Sequence, residues 1–151
     1  MTCHDVFNGD ADGLCALHQL RLAAPRDCHL VTGPKRDVRL LARVDAREGD
    51  SVTVLDISLD VNRTALDVLL ARGAHVTWFD HHYAGAVPVH PRLAATIDTA
   101  PDVCTAMLVD RHLDGRYRAW AVVAAYGDNL HASAERLARS ISLDDAEARE
   151  L

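Results

Sequence analysis

Three observations predict an α/β fold, doubly wound around a mainly parallel five-stranded sheet, with helices on both faces and a helical segment at the C-terminal end. Short β-prone runs alternate with stretches of helical periodicity as far as Ile97. One of those runs, Ser51-Val52-Thr53-Val54-Leu55, is almost wholly β-branched or aliphatic, as a strand covered on both faces must be. Beyond Ile97 the apolar residues recur at helical spacing only, and no internal repeat or low-complexity tract interrupts them.

Val6-Phe7 is a short strand that enters the turn Asn8-Gly9-Asp10-Ala11-Asp12-Gly13. Leu14, Leu17 and Leu20, with Ala16, Ala23 and Ala24, then give a helix that Pro25 stops. Asp10 and Asp12 fall at this strand-to-helix junction. Either Asp12 caps the helix and Asp10 is solvated, or the pair serves two different metal ions from an extended turn. His29-Leu30-Val31-Thr32 is a second strand, closed by Gly33-Pro34, and Lys35-Arg36-Asp37 opens a helical pattern through Val38, Leu40, Leu41 and Val44. The basic cluster Lys35, Arg36 and Arg39 is either a solvated helix face or a contact for an anionic substrate, with Arg36 the residue assigned to substrate.

The third strand, Ser51 to Leu55, runs straight into Asp56, a carboxylate too costly to desolvate there without a cationic partner. A helix capped by Asp60 or Asn62 follows, with Ala65, Leu66, Leu69 and Leu70 inward and Gly73 at its end. The fourth strand, Ala74 to Trp78, leads through Phe79 into Asp80-His81-His82. Leu93 to Ile97 is the fifth. Asp98-Thr99 caps a helix begun by Pro101, with Val103, Ala106, Met107 and Leu108 on its apolar side, and Trp120 to Ala125 continues as a second apolar helix up to Gly127-Asp128-Asn129.

Composition narrows the function. The 151 residues, 49% hydrophobic and 25% charged, match one globular domain and exclude disorder. No run approaches the roughly 20 apolar residues of a membrane span, and Met1-Thr2-Cys3-His4-Asp5 lacks a signal-peptide pattern, so the chain reads as soluble, cytoplasmic and free of the membrane. Cys3, Cys15, Cys28 and Cys104 form no Cys-x-x-Cys pair and are expected to be reduced, buried thiols. A formal net charge of −6 excludes a broad nucleic-acid-binding face, so any anionic substrate must meet local positive charge.

Parallel strands aim Asp10, Asp12, Asp56, Asp80, His81 and His82 at one edge of the sheet, and Asp128 lies in a turn that can join them. Carboxylates crowded in this way need counter-charge. Oxygen-rich ligation with one or two histidines suits Mn²⁺, with Mg²⁺ as the alternative, better than zinc or copper.

Asp10-Ala11-Asp12-Gly13, Asp56 after a strand, Asp80-His81-His82 and Gly127-Asp128 occur in the order that marks the DHH phosphoesterase superfamily, which this chain resembles along nearly its whole length. That superfamily includes RecJ-type exonucleases, oligoribonucleases, cyclic-dinucleotide phosphodiesterases and manganese pyrophosphatases. The resemblance implies a divalent-metal-dependent phosphoesterase with two Mn²⁺ ions, acting on a nucleotide or short oligonucleotide. By it Asp56 bridges the ions, Asp10 serves the first, and Asp12, His81 and Asp128 serve the second. Asp80 supports the site and His82 meets the substrate phosphate. Val6 and Asn8 stand where relatives carry a histidine, which predicts a weaker hold on the first ion. The resemblance also implies a smaller C-terminal substrate-binding domain, expected beyond Leu151. Residues 1–141 are therefore expected to form the DHH-type catalytic domain, and 142–151, with the capping pattern Ser142-Leu143-Asp144-Asp145, to start a linker helix towards that domain. Homodimerisation is left open. Two other readings stand beside this one: a noncatalytic metal- or nucleotide-binding module, and a phosphorylation receiver domain. The second lacks the lysine expected after the last strand, since no lysine follows Lys35.

Overall fold

The computed structural model describes residues 1–141. Strands β1 (Cys3–Asn8), β2 (His29–Gly33), β3 (Ser51–Leu55), β4 (His75–Asp80) and β5 (Leu93–Ile97) form one sheet in the order β2-β1-β3-β4-β5. Every pairing is parallel, with Val6 beside Val31 and Val54, and Leu55 beside Phe79. The predicted architecture is the observed one. Because the sheet grows first one way from β1 and then the other, β1 and β3 bracket a switch point, where a crevice opens beyond the strand ends.

Alternate residues of the central strands fill the two faces. Val6, Val54 and Trp78 pack beneath α2 (Arg63–Ala71) and a 3₁₀ turn, Leu40–Arg43. Phe7, Leu55 and Phe79 face the opposite layer, built from α1 (Ala11–Ala23), α3 (Thr105–His112), α4 (Arg118–Gly127) and α5 (His131–Ala138). Among the described residues no helix is long and apolar enough to cross a membrane.

Three local expectations are corrected. The helix expected from Lys35 through Val44 is only the 3₁₀ turn: Asp37 N–H closes a tight turn onto Pro34 O at 2.7 Å, and the buried pair Leu40 and Leu41 is adjacent rather than spaced along a helical face. The helix expected from Pro101 starts four residues later, at Thr105, because Asp98 Oδ1 accepts the Ala100 N–H at 3.1 Å and Val103 N–H turns back to Ala100 O, which holds Pro101 in a loop. The cysteines are not all reduced. His4 pairs with His29 across β1 and β2, which sets Cys3 beside Cys28 with Cα atoms 4.6 Å apart, and the two are joined in a disulfide; Cys15 and Cys104 are free and buried. The linker helix expected over 142–151 lies outside the described residues.

Candidate metal centre

Neighbouring β1, β3 and β4 run in one direction, so the residues that follow them emerge together. Asp10 caps α1 through the Gly13 N–H at 3.2 Å, and Asp12 lies in the first turn of that helix. Asp80 is the last residue of β4, with His81 and His82 just beyond it. Asp128 follows α4, whose last residue must be small: a Cβ on Gly127 would fall 2.5 Å from the Ala11 Cβ. That close approach brings Asp128 to the start of α1. Asn8, Asp10, Lys35, Asp56, His81, His82 and Asp128 line a crevice of about 240 Å³.

Asp12 and Asp56 are almost completely buried. The oxygens of Asp12 accept the backbone N–H groups of Thr105 and Ala106, each at 2.7 Å, so Asp12 caps α3 rather than its own helix. Asp56 directly follows β3 at φ +58°, a left-handed conformation that is uncommon outside glycine, and its N–H donates to Phe79 O at 3.1 Å. This turn points its carboxylate into the crevice, where Thr105 Oγ1 donates to Oδ1 at 3.3 Å. His81 Nε2 sits among three carboxylates, 3.4 Å from Asp56 Oδ1, 3.7 Å from Asp128 Oδ2 and 3.8 Å from Asp12 Oδ2. His82 Nδ1 is 2.7 Å from Asp80 Oδ1 and 3.9 Å from Asp56 Oδ1.

Burial and the neighbouring Asp12 and Asp10 charges push the Asp56 carboxyl up to about 10. Burial is also the largest influence on Asp12, which is raised. Burial alone would raise Asp10, but the Lys35 ammonium and the Gly13 N–H outweigh it and hold that carboxyl below its ordinary value. The bond to Asp80 raises His82. Asn8 Oδ1 and Asp80 Oδ2 are buried without a hydrogen-bond partner among the described residues.

This donor set fits a hard divalent cation. Ligand atoms of Asp12, His81 and Asp128 lie within 4.8 Å of one another, and so do those of Asp56, His81 and His82. Burial first, and then the Asp12 and Asp10 charges, disfavour the Asp56 anion, and a cation bound beside it would favour that anion. Of the residues singled out in the sequence, Asp10, Asp12, Asp56, Asp80, His81, His82 and Asp128 converge here. Arg36 is exposed and does not line the crevice. Two contributors went unrecognised. Thr105 carries no motif, and its role depends on a tertiary contact with Asp12. Lys35, in the basic cluster that the sequence offers as a solvated helix face or a substrate contact, instead pairs with the acidic site, its Nζ 2.8 Å from Asp10 Oδ2.

No family model matches the sequence, and none of the curated proteins matches it. Among solved structures, the crystal structure of exonuclease RecJ bound to manganese superposes on 90% of this chain with a TM-score of 0.57. The fold resembles that of exonuclease RecJ. Sequence identity is 21%, a level that shows the fold alone, and the chain spans 41% of the RecJ chain.

Proposed function

We propose that the chain is the catalytic lobe of a divalent-metal-dependent phosphoesterase, hydrolysing phosphodiester bonds in a nucleotide or short oligonucleotide. The observation that carries this reading is the convergence of Asp12, Asp56, Asp128, His81 and His82 on one crevice beyond the carboxyl ends of parallel strands. The RecJ-like fold supports it, since that neighbour is an exonuclease with bound manganese. Asp12, His81 and Asp128 would hold one ion, with Asp56 between that ion and a second one served by Asp10. The chemistry supplied by such ions is a lowered pKa for coordinated water and neutralisation of charge on the nonbridging phosphate oxygens.

The protein's own part is positioning and proton transfer. Asp80, fully buried, holds the imidazole of His82 through Nδ1 and leaves Nε2 free for a phosphate oxygen or the leaving group. The raised pKa keeps that imidazole protonated to higher pH, as a proton donor requires. Asp56 leaves the strand end at φ +58°, and Thr105 Oγ1 donates to its carboxylate there. A C-terminal substrate-binding domain is part of this proposal, because at net charge −6 the chain offers a polyanion little grip of its own.

A noncatalytic metal-binding module is the second reading, and one observation favours it: each Asp12 oxygen accepts a backbone N–H, which commits that carboxylate to a structural role as well. Calorimetric titration with Mn²⁺, paired with turnover of a chromogenic phosphodiester, separates the two. The proposal expects saturable Mn²⁺ binding, a higher thermal midpoint that a chelator reverses, and turnover that Asp56→Asn abolishes. Small activated esters should be hydrolysed better than oligonucleotides, since they depend less on remote contacts to orient the phosphate. Binding without turnover of either substrate would leave the module reading standing. No thermal shift at millimolar Mn²⁺ would sink both.

A further inference from the structure

Lys35 is the sole lysine of the sequence, and its ammonium sits in the acidic crevice, 2.8 Å from Asp10 Oδ2 and 3.4 Å from Asp128 Oδ1. Its backbone is anchored. Gly9 N–H donates to Gly33 O at 3.0 Å, and a Cβ on Gly9 would lie 2.6 Å from that oxygen, so only glycine lets the two loops meet. The Pro34–Asp37 turn then sets Lys35 at the crevice mouth. Its side chain, by contrast, is 69% exposed, and the stem is free to swing. The inference rests on the proposed phosphoesterase activity, and two facts bear on it: the lysine spans two carboxylates, and its ammonium end, 69% exposed, can leave them for solvent when a divalent ion takes the same oxygens.

We propose that Lys35, paired with one carboxylate of each ion's site, holds the place of divalent charge in the crevice, and that ion binding displaces its ammonium onto a nonbridging oxygen of the substrate phosphate. The ammonium and the ion compete for the same carboxylate oxygens, so loading is an exchange of one cation for another. Once released, Lys35 is anchored at the rim and has no other carboxylate partner among the described residues. A compact ammonium on a flexible stem suits a phosphate oxygen that approaches over the rim. Arg36 and Arg39 are exposed on the same segment but do not line the crevice, which leaves Lys35 as its cation among the described residues. The inference assigns Lys35 two successive partners, carboxylate before loading and phosphate after it.

The test uses the full chain with Lys35→Met, which keeps the stem and removes the charge, and Lys35→Arg, which keeps the charge. Calorimetry with Mn²⁺ alone should show Lys35→Met binding its ion about tenfold more tightly than the parent, with Lys35→Arg close to the parent. At saturating Mn²⁺, Lys35→Met should raise KM for a short oligonucleotide about tenfold with kcat nearly unchanged, and Lys35→Arg should restore KM. If the parent turns over no phosphodiester, the activity proposal fails, but titration of the Mn²⁺-loaded protein with inorganic phosphate still reads this one: weaker phosphate binding by Lys35→Met supports it. Unchanged Mn²⁺ affinity overturns it, as does Mn²⁺ binding by neither form. Tighter Mn²⁺ binding with unchanged KM and phosphate affinity overturns it too.

Discussion

The Asp12 carboxylate accepts the Thr105 backbone N–H at 2.7 Å, so a side chain in the first turn of α1 caps α3 across 93 residues of sequence. A residue of the candidate site is therefore also a structural fastening. Asp12→Ala leaves two buried N–H groups without an acceptor and strips the α3 terminus of its cap, which costs about 1–3 kcal/mol even though one negative charge is removed from a crowded site. Asp12→Asn keeps one acceptor and should cost less. Urea unfolding in a chelator measures both. If Asp12→Ala proved as stable as the parent, charge repulsion would outweigh the cap.

Metal-free stability should fall as pH rises from about 5 to about 9. Asp56 has an ordinary value of 3.8 and a folded value of about 10, so between the two the folded chain holds a proton that the unfolded chain has lost. Raising the pH through that window penalises the folded state. His82 acts in the same direction, because its raised value gives stability below 6.5 that is lost as pH climbs through the folded pKa. Asp10, whose value is lowered, gives stability that is lost only as pH falls below about 3.8, outside this window. Thermal midpoints across the range in a chelator should slope downward, and Asp56→Asn should flatten the slope. Saturating Mn²⁺ should reverse it, since the ion competes with protons for the same oxygens. An identical slope in the parent and Asp56→Asn would remove Asp56 as the cause.

The sheet was legible because its signal is local. Val6 and Phe7, Val54 and Leu55, and Trp78 and Phe79 are adjacent apolar pairs whose members go to opposite faces, and a strand apolar on both sides fits only the centre of a covered sheet. Asp56 and Asp80 were legible for a related reason: each sits where such a run stops, and parallel pairing carries the stops to one edge, whereas Asp128 follows a helix and joins them only through the contact of Gly127 with Ala11. What escaped the sequence depends on register or on contacts between distant segments. Cys3 and Cys28 meet only because His4 pairs with His29. Thr105 has no meaning until α3 docks on Asp12. For Lys35 the sequence offers a solvated helix face or a substrate contact but not its carboxylate partners, because only the close approach of Gly9 to Gly33 turns its loop to the crevice.

Asp80→Asn should act through His82. The carboxylate bond at Nδ1 raises the imidazole's pKa, so replacing it with an amide lowers that pKa and withdraws the proton-donating form at a lower pH. The basic limb of the pH–rate profile should move to lower pH and the maximal rate should fall about 10–100-fold, with Mn²⁺ affinity little changed because Asp80 faces His82. His82→Ala should lose about as much or more and remove that limb. A profile of unchanged shape in Asp80→Asn would mean that His82 carries no titrating role.

Reducing the Cys3–Cys28 disulfide, or replacing Cys3 with Ala, should lower stability without touching the candidate metal centre. The bridge closes a segment with a sequence separation of 25, for which the loop-closure model gives about 3–4 kcal/mol of lost constraint on the unfolded chain. It also fastens β2, an edge strand whose residues are mostly half-buried or exposed, to the sheet centre at β1. The crevice lies at the other end. Cys3 starts β1 and Asn8 ends it, so at about 3.3 Å per residue the bridge and the site are roughly 16 Å apart along the strand. Denaturant midpoints should therefore fall on reduction while the Mn²⁺ affinity of the folded protein stays within about twofold. The contact that places Lys35, Gly9 N–H to Gly33 O, is at the far end of β2 and should survive. A parallel loss of Mn²⁺ affinity would show instead that β2 moves as one rigid piece, and that the disulfide at one end of it sets the geometry of the crevice at the other.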